Sequence, residues 1–224
     1  TLLVPDSYFL VILSLVLVAS GLTAVWLEIG RKLRAAHVFF NPFTSWMTRE
    51  SFAALLLFPL GIGAIFVPSA LPFAAAAAAA FLYCQARILQ AARGIPAWRE
   101  PLTVPLLVAT GLAEGAGLFW LLAPWWGQGT TILWAAFGVL LAIRFMLGVW
   151  WYARLSRQLR PRPLRAVNQA GHAFNAGSLL PMAIVLGLLM LPPAPGWTLA
   201  LQVLAGVLAA LGGAGFKFML IMRR

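Results

Sequence analysis

The sequence predicts an all-α protein, a polytopic bundle of transmembrane helices that forms a single domain over residues 1–224. Three observations predict this fold class. Hydrophobic residues make up 62% of the chain and charged residues only 9%, whereas about a quarter of a soluble domain is charged. Seven apolar stretches approach or exceed the length that crosses a bilayer, about 20 residues. Basic residues gather in alternate connections between those stretches, as they do in membrane proteins.

Turns and polar loops separate the seven predicted spans. The second and third are divided only by the turn Pro68–Pro72, and breaks at Pro124–Gly127 and Pro192–Gly196 end two others. The alanine run Ala74–Ala80 and the glycines of the last span (Gly206, Gly212, Gly213, Gly215) allow close helix contacts in lipid, or they are general helix filler. The predicted spans are Tyr8–Leu27, Ser51–Val67, Leu71–Ala91, Leu102–Ala123, Thr130–Ala153, Ala173–Leu191 and Trp197–Ile221.

The distribution of charge predicts an orientation. The chain carries 16 Lys and Arg against 5 Asp and Glu, a net charge of +11. The connections after the first, third and fifth spans and the C-terminus are basic, whereas Thr1–Ser7 and the other connections have no Lys or Arg. Because such residues gather in cytoplasmic loops, we predict a multi-pass protein of the cytoplasmic (inner) membrane, surrounded by lipid. The basic loops and C-terminus would lie in the cytoplasm, and we expect no nucleic-acid partner.

Two carboxylates flank the basic, aromatic-rich connection between the first two spans. Glu28 ends the first span and Glu50 begins the second, so both lie at the same membrane face. Aromatic, hydrogen-bonding and titratable groups at one membrane boundary suit a quinone headgroup, whose reduction consumes protons. Alternatively, the arginines mark topology, the aromatic residues form an interfacial belt, and Glu50 favours a helix N-terminus. The predicted quinone-binding residues are Glu28, Arg31, Arg34, His37, Trp46 and Glu50.

Two further charges fall inside spans. Glu114 lies in the fourth and Arg144 in the fifth, where a charged side chain costs roughly 2.5–3.5 kcal/mol at the bilayer centre on insertion scales. Such residues face the bundle interior and find partners. We therefore predict that Glu114 pairs with Arg144 or lines a proton path; a purely structural ion pair is the alternative. Lys217, near the end of the last span, can snorkel and is assigned no role.

Several chemistries are excluded. The single Cys84 allows no intrachain disulfide or iron–sulfur site, and the two histidines, His37 and His172, do not form a pair on facing spans that would hold a haem. No Walker motif, His-Glu-x-x-His or dinucleotide-binding glycine loop is present. We expect no haem, no metal and no catalytic residue in this chain, so that any redox reaction on a substrate takes place in another subunit.

Two segments resemble the membrane anchor subunits of dimethyl sulfoxide reductase and polysulfide reductase (DmsC/NrfD-like). Leu27–Ala35 followed by Ser45–Glu50 is similar to the family's His-x-Gly-x-x-x-Arg-Ala at one helix end and its Ser and Glu at the next helix start. Ala86–Trp98 is similar to the family's Arg-x-Tyr … Val-Pro-x-Trp connection. The hydropathy pattern is similar over most of the chain, and the motifs are similar over residues Leu27–Trp98.

The resemblance implies about eight helices, one of them upstream of Thr1. It implies binding of quinone or quinol (menaquinone or ubiquinone) at the face that touches an iron–sulfur subunit, which exchanges electrons with a molybdenum or tungsten pterin catalytic subunit. The family's quinone-site Glu corresponds to Glu50. Glu28 occupies the position of the family's His, so Glu28 or His37 would supply the proton. Because the quinone loop is also the basic loop, the resemblance favours the branch with cytoplasm-facing catalytic subunits, of the sulfite- or phenylacetyl-CoA-oxidising type.

Two other functions stay open. A transporter or channel would use Glu114 and Arg144 as an intramembrane path, although no convincing internal repeat is present. A purely structural anchor would bind no quinone.

Overall fold

The computed structural model describes residues 7–30, 37–92, 95–122, 131–158, 161–191 and 195–222. These residues form helices and connecting turns without a strand, which confirms the all-α class. Seven of the described helices are long and apolar enough to cross a membrane, as predicted. They are α1 (Ser7–Glu28), α2 (Trp46–Phe66), α3 (Leu71–Ala91), α4 (Thr103–Leu121), α5 (Thr131–Gln158), α6 (Pro161–Met190) and α7 (Pro195–Met222).

Three helices extend well beyond one end of the apolar stretches that predicted them. α2 begins at Trp46 rather than Ser51, because the Ser45 side chain accepts a hydrogen bond from the Thr48 backbone N–H at 3.4 Å and caps the helix. α5 continues beyond Ala153 to Gln158, and α6 begins at Pro161 rather than Ala173. Proline suits a first helical turn, since its missing N–H has no intrahelical partner there anyway. A helix that leaves the bilayer no longer needs apolar residues.

The predicted single domain contains two compact units, Thr1–Leu89 and Gln90–Arg224. The first unit holds α1, α2 and α3 as far as Leu89. Leu15 of α1, Leu57 of α2 and Ala77 of α3 form one buried cluster. Gly61 makes room for the α1 contact, because a Cβ at this position would lie 2.8 Å from Leu15 Cδ2.

The second unit is an antiparallel four-helix bundle. α4 and α6 each contact both α5 and α7. Trp120 and Trp134 meet at one end with ring centroids 4.2 Å apart, and at the other end Trp151 Nε1 donates to Thr103 Oγ1 at 2.9 Å. The core between these ends is built from alanines, aromatic rings and branched aliphatic side chains: Ala113, Trp120, Trp134, Phe137, Leu141, Val185, Leu188, Ala205 and Ala209.

Glycines set two of the helix crossings in the second unit. A Cβ at Gly206 would overlap the Gly117 carbonyl oxygen of α4, and a Cβ at Gly212 would overlap the Gly177 Cα of α6. Small residues allow this close approach in lipid, where packing takes the place of hydrophobic burial. The predicted contact role of Gly206 and Gly212 is therefore confirmed. Gly215 makes only an ordinary contact, 3.6 Å from the Ala173 Cβ.

Candidate functional site

The segment before α2 is tied to the first turn of that helix. The Thr48 hydroxyl donates to the Val38 carbonyl oxygen at 2.5 Å, and Thr48 is almost fully buried. Arg49 donates from Nε to the Pro42 carbonyl oxygen at 2.9 Å and from Nη2 to that of Phe43 at 2.7 Å. These bonds fix the described part of the aromatic connection, from residue 37 onward, against the helix that follows it.

Trp46 contacts two guanidinium groups. The Arg49 Cζ is 4.2 Å from the centroid of the Trp46 ring, and the Arg87 Cζ of α3 is 4.5 Å from it. The Tyr83 ring meets Trp46 edge-on, with centroids 5.9 Å apart. Each cation–π contact contributes about 0.5–2 kcal/mol, depending on how far it is removed from water. The indole thus joins α2 and α3 at this end of the first unit.

Glu50 lies one turn along α2 from Trp46. It is half-buried, and its carboxyl group is hydrogen-bonded by the Gln85 side chain of α3. Arg87 Nε is buried and has no hydrogen-bond partner among the described residues. An unpaired buried donor costs about 1–3 kcal/mol unless a water or ligand meets it. We refer to Trp46, Arg49, Glu50, Tyr83, Gln85 and Arg87 as the Trp46 cluster.

The structure brings together only two of the predicted quinone-binding residues that it describes. Trp46 and Glu50 lie together in the Trp46 cluster. Glu28 is exposed at the end of α1, and His37 is exposed, with its ring 5.5 Å from the Phe40 ring. Arg31 and Arg34 lie outside the described residues.

Sequence reasoning missed the partners that α3 supplies to the cluster. Tyr83, Gln85 and Arg87 lie more than thirty residues from Trp46 along the chain, and of the three only Arg87 belongs to a segment that the resemblance singles out, Ala86–Trp98. An early sign was the spacing of Tyr83 and Arg87, which places both on one face of a helix. Nothing in the sequence indicated that Trp46 was the residue they face.

The predicted ion pair between Glu114 and Arg144 is corrected by the structure. Glu114 Oε2 instead accepts from Lys217 Nζ at 2.5 Å. A Cβ at Gly213, one turn before Lys217 on α7, would overlap the Glu114 side chain, so this glycine admits the carboxylate. Lys217, assigned no role from the sequence because snorkelling explained it, is the partner of Glu114.

Arg144 is fully buried among the helices of the second unit. Its Nη1 donates to the carbonyl oxygens of Gly177 at 3.1 Å and Ala209 at 3.4 Å, and its Cζ lies 5.0 Å from the centroid of Phe174. Arg144 Nε and Nη2, Glu114 Oε1 and the Ser178 hydroxyl are buried without a partner among the described residues. The bundle interior therefore holds unsatisfied polar atoms of both signs.

The described residues contain no group of three or more His, Cys, Asp or Glu side chains placed to hold a metal ion. No family model matches the chain, no curated protein matches it, and no solved structure matches it. The similarity to the DmsC/NrfD-like anchors stays a prediction from the motifs Leu27–Glu50 and Ala86–Trp98.

Proposed function

We propose that this chain is the membrane anchor and quinone-reactive subunit of a multisubunit oxidoreductase. It exchanges electrons between an iron–sulfur subunit and membrane quinone or quinol, and a molybdenum or tungsten pterin subunit acts on the substrate. The observation that carries the proposal is the Trp46 cluster, where a carboxyl group and an unpartnered guanidinium N–H lie beside an aromatic ring.

The chemistry of the cluster suits a quinone ring. A quinone offers two carbonyl oxygens and a flat apolar ring. Arg87 Nε is a free donor for one oxygen, and the half-exposed Tyr83 offers a ring edge and a hydroxyl. Glu50 is the group that exchanges a proton with the bound carrier. Glu28, Arg31, Arg34 and His37 stay members of the proposed site on the strength of the sequence pattern alone.

The proposed partner follows from charge. The connections that carry the basic residues give one membrane face a cationic surface, which attracts an acidic electron-transfer subunit and speeds its association. By the positive-inside rule, the same residues favour a cytoplasmic position for this face. The iron–sulfur and pterin subunits of the proposed complex therefore dock from the cytoplasm.

Exchange of Glu50 tests the proposal. In the complex purified with its partners, Glu50→Gln is expected to lower quinone-coupled turnover at least about 100-fold, the size of a lost acid–base contribution. Activity with a soluble dye, which takes electrons directly from the hydrophilic subunits, is expected to stay unchanged. Glu50→Asp, which keeps a carboxyl group, should retain part of the quinone activity. Unchanged quinone turnover in Glu50→Gln removes this residue from the proposed site.

A transporter is the second candidate, and Arg144 is the observation that favours it. A fully buried cation with two unpartnered donor atoms is expensive to keep in a membrane bundle unless it meets a polar or anionic substrate. Purification of the chain as a lone protein, without redox subunits, would favour this function. A structural anchor without quinone would be recognised by extraction of the purified complex, which would then yield no bound quinone.

A further inference from the structure

A cavity of about 440 Å³ opens between α5 and α6 of the second unit. Its volume lies within the range of pockets for small molecules, roughly 300–1,000 Å³. Val149 and Tyr152 at its rim are 47% and 41% exposed, and both lie in a helix that crosses the membrane. The cavity is therefore open on the side of the bundle that faces lipid.

The inner wall of the cavity is aromatic and fixed in place. The Phe174 ring packs 5.0 Å from the Phe216 ring, and Phe216 packs 6.0 Å from Trp151, which is anchored by its bond to Thr103. Gly148 admits the Phe174 ring, because a Cβ at that position would overlap it. Such a wall offers flat, rigid surfaces against which a planar ring can stack.

One helix, α6, supplies polar groups to the cavity. Asn168, His172 and Asn175 of α6 line the cavity, and their spacing of four and three residues places them on one helix face. No hydrogen-bond partner for these three side chains exists among the residues that the structure describes. Amide and imidazole groups both donate and accept hydrogen bonds, so a ligand with hydrogen-bonding oxygens would bind them.

The cavity lining has no charged residue among those described: no Lys, Arg, Asp or Glu contributes to it. A phospholipid headgroup carries a phosphate, which recruits Arg or Lys. A neutral ring with oxygen substituents needs only the neutral donors and acceptors of Asn and His. The described lining therefore fits an uncharged aromatic headgroup on an apolar tail.

We propose that this cavity is a second binding site, distinct from the Trp46 cluster, for the ring of a neutral lipid-soluble carrier of the quinone class. The amides of Asn168 and Asn175 and the imidazole of His172 bind the ring oxygens, and Phe174 and Trp151 flank the ring. The identification of the ring as a quinone rests on the proposed function. The inference that the cavity binds a neutral ring depends only on its shape and its lining residues.

Photolabelling with an azido derivative of a short-chain quinone tests the site, with the protein in lipid nanodiscs together with any subunits that copurify. Peptide mapping is expected to find the label on the segments 145–152 and 167–175. An excess of unlabelled short-chain quinone should displace it, and an excess of phospholipid should not. Label confined to the Trp46 segment, or displacement by phospholipid, overturns the proposal.

Gly171 and Gly187 provide a matched pair of variants on α6. Gly171 lines the cavity, and a Cβ at either glycine meets nothing within 4 Å. Gly171→Leu fills the cavity and is expected to lower labelling at least about tenfold, whereas Gly187→Leu is expected to leave it unchanged. The double variant Asn168→Leu/Asn175→Leu should lose labelling to a similar extent, because it removes the polar groups and replaces them with side chains of similar size. Unaltered labelling of Gly171→Leu contradicts the proposal.

The two proposals fail separately. Loss of cavity labelling in Gly171→Leu with intact Glu50-dependent turnover would leave the Trp46 cluster as the electron-exchange site. Cavity labelling that persists while Glu50→Gln turns over quinone normally would overturn the proposed site at Glu50 and keep the cavity.

Discussion

At the scale of single residues, the charged side chains in the interior of the second unit differ in whether they have a partner of opposite charge. Glu114 Oε2 and Lys217 Nζ are paired at 2.5 Å, so each charge has a partner of the opposite sign. Arg144 has no carboxylate within salt-bridge distance among the described residues and depends on two backbone carbonyl groups. A buried cation solvated only by carbonyl oxygens is usually less favourable than an apolar side chain of the same size. Its presence therefore points to a functional role.

Replacement of Arg144 by an apolar residue should consequently not weaken the fold. Arg144→Met is expected to leave the apparent Tm in detergent unchanged or to raise it, because an unpaired charge is exchanged for a side chain of similar length. Intrinsic tryptophan fluorescence during heating measures this. A loss of more than about 2 kcal/mol would show that the two carbonyl contacts stabilise the bundle.

Lys217→Met supplies the contrast, because it leaves the largely buried Glu114 carboxylate without its partner. A loss of about 1–3 kcal/mol is expected. Adding Glu114→Gln to Lys217→Met should restore part of that loss, since the double variant no longer holds an unpaired charge.

At the scale of helices, glycine contacts decide which elements lie side by side. α6 and α7 meet where the Gly177 and Gly212 backbones touch, and α4 and α7 meet at Gly117 and Gly206. The Trp46 cluster has the same function between α2 and α3, but with large side chains. Each of these helix pairs is thus held by its own local contact, and a single substitution can test that contact.

Gly177→Ala is expected to destabilise the second unit by about 1–3 kcal/mol, because the added Cβ would overlap the Gly212 backbone and force α6 and α7 apart. Gly187→Ala on the same helix is the control. Its Cβ meets nothing within 4 Å, so a change within about 0.5 kcal/mol is expected. The apparent Tm of both variants gives the comparison, and equal values would rule out the crossing as a determinant of stability.

At the scale of the whole molecule, the alternation of basic and non-basic connections predicts which helix ends face the cytoplasm. In the second unit the end of α5 carries Arg154 and Arg157. Arg154 forms a salt bridge of 3.2 Å with Glu100, just before α4. The exposed start of α7, at Gly196, follows a connection without Lys or Arg. Because the bundle is antiparallel, these two positions lie at opposite ends of it.

Cysteine labelling tests that orientation. In a Cys84→Ala background, Gly196→Cys is expected to react with a membrane-impermeant maleimide in intact cells whose outer barrier is permeable to it. Ser156→Cys, at the α5 end, is expected to react only after lysis. Both positions are exposed in the structure, so access across the membrane is the only difference. The reverse pattern would place the basic face and any docked partner outside the cytoplasm.

The sequence by itself determined the all-α class and the seven spans, because both depend on one-dimensional quantities, the length and the polarity of each stretch. It also singled out Trp46, Glu50, Glu114 and Arg144. The polar extensions of α5 and α6 were missed for the same reason, since helix outside the bilayer has no hydropathy signal.

Only the tertiary structure decided which of these side chains meet. Trp46 lies against Arg87 of the next helix, and Glu114 lies against Lys217 of α7. These contacts depend on the rotation of each helix about its axis, which is set by packing at sites such as Gly213. The cavity lined by Asn168, His172 and Asn175 likewise depends on how α5 and α6 pack side by side. In lipid, hydrophobicity fixes which segments insert, and small differences in packing and hydrogen bonding then choose the partners.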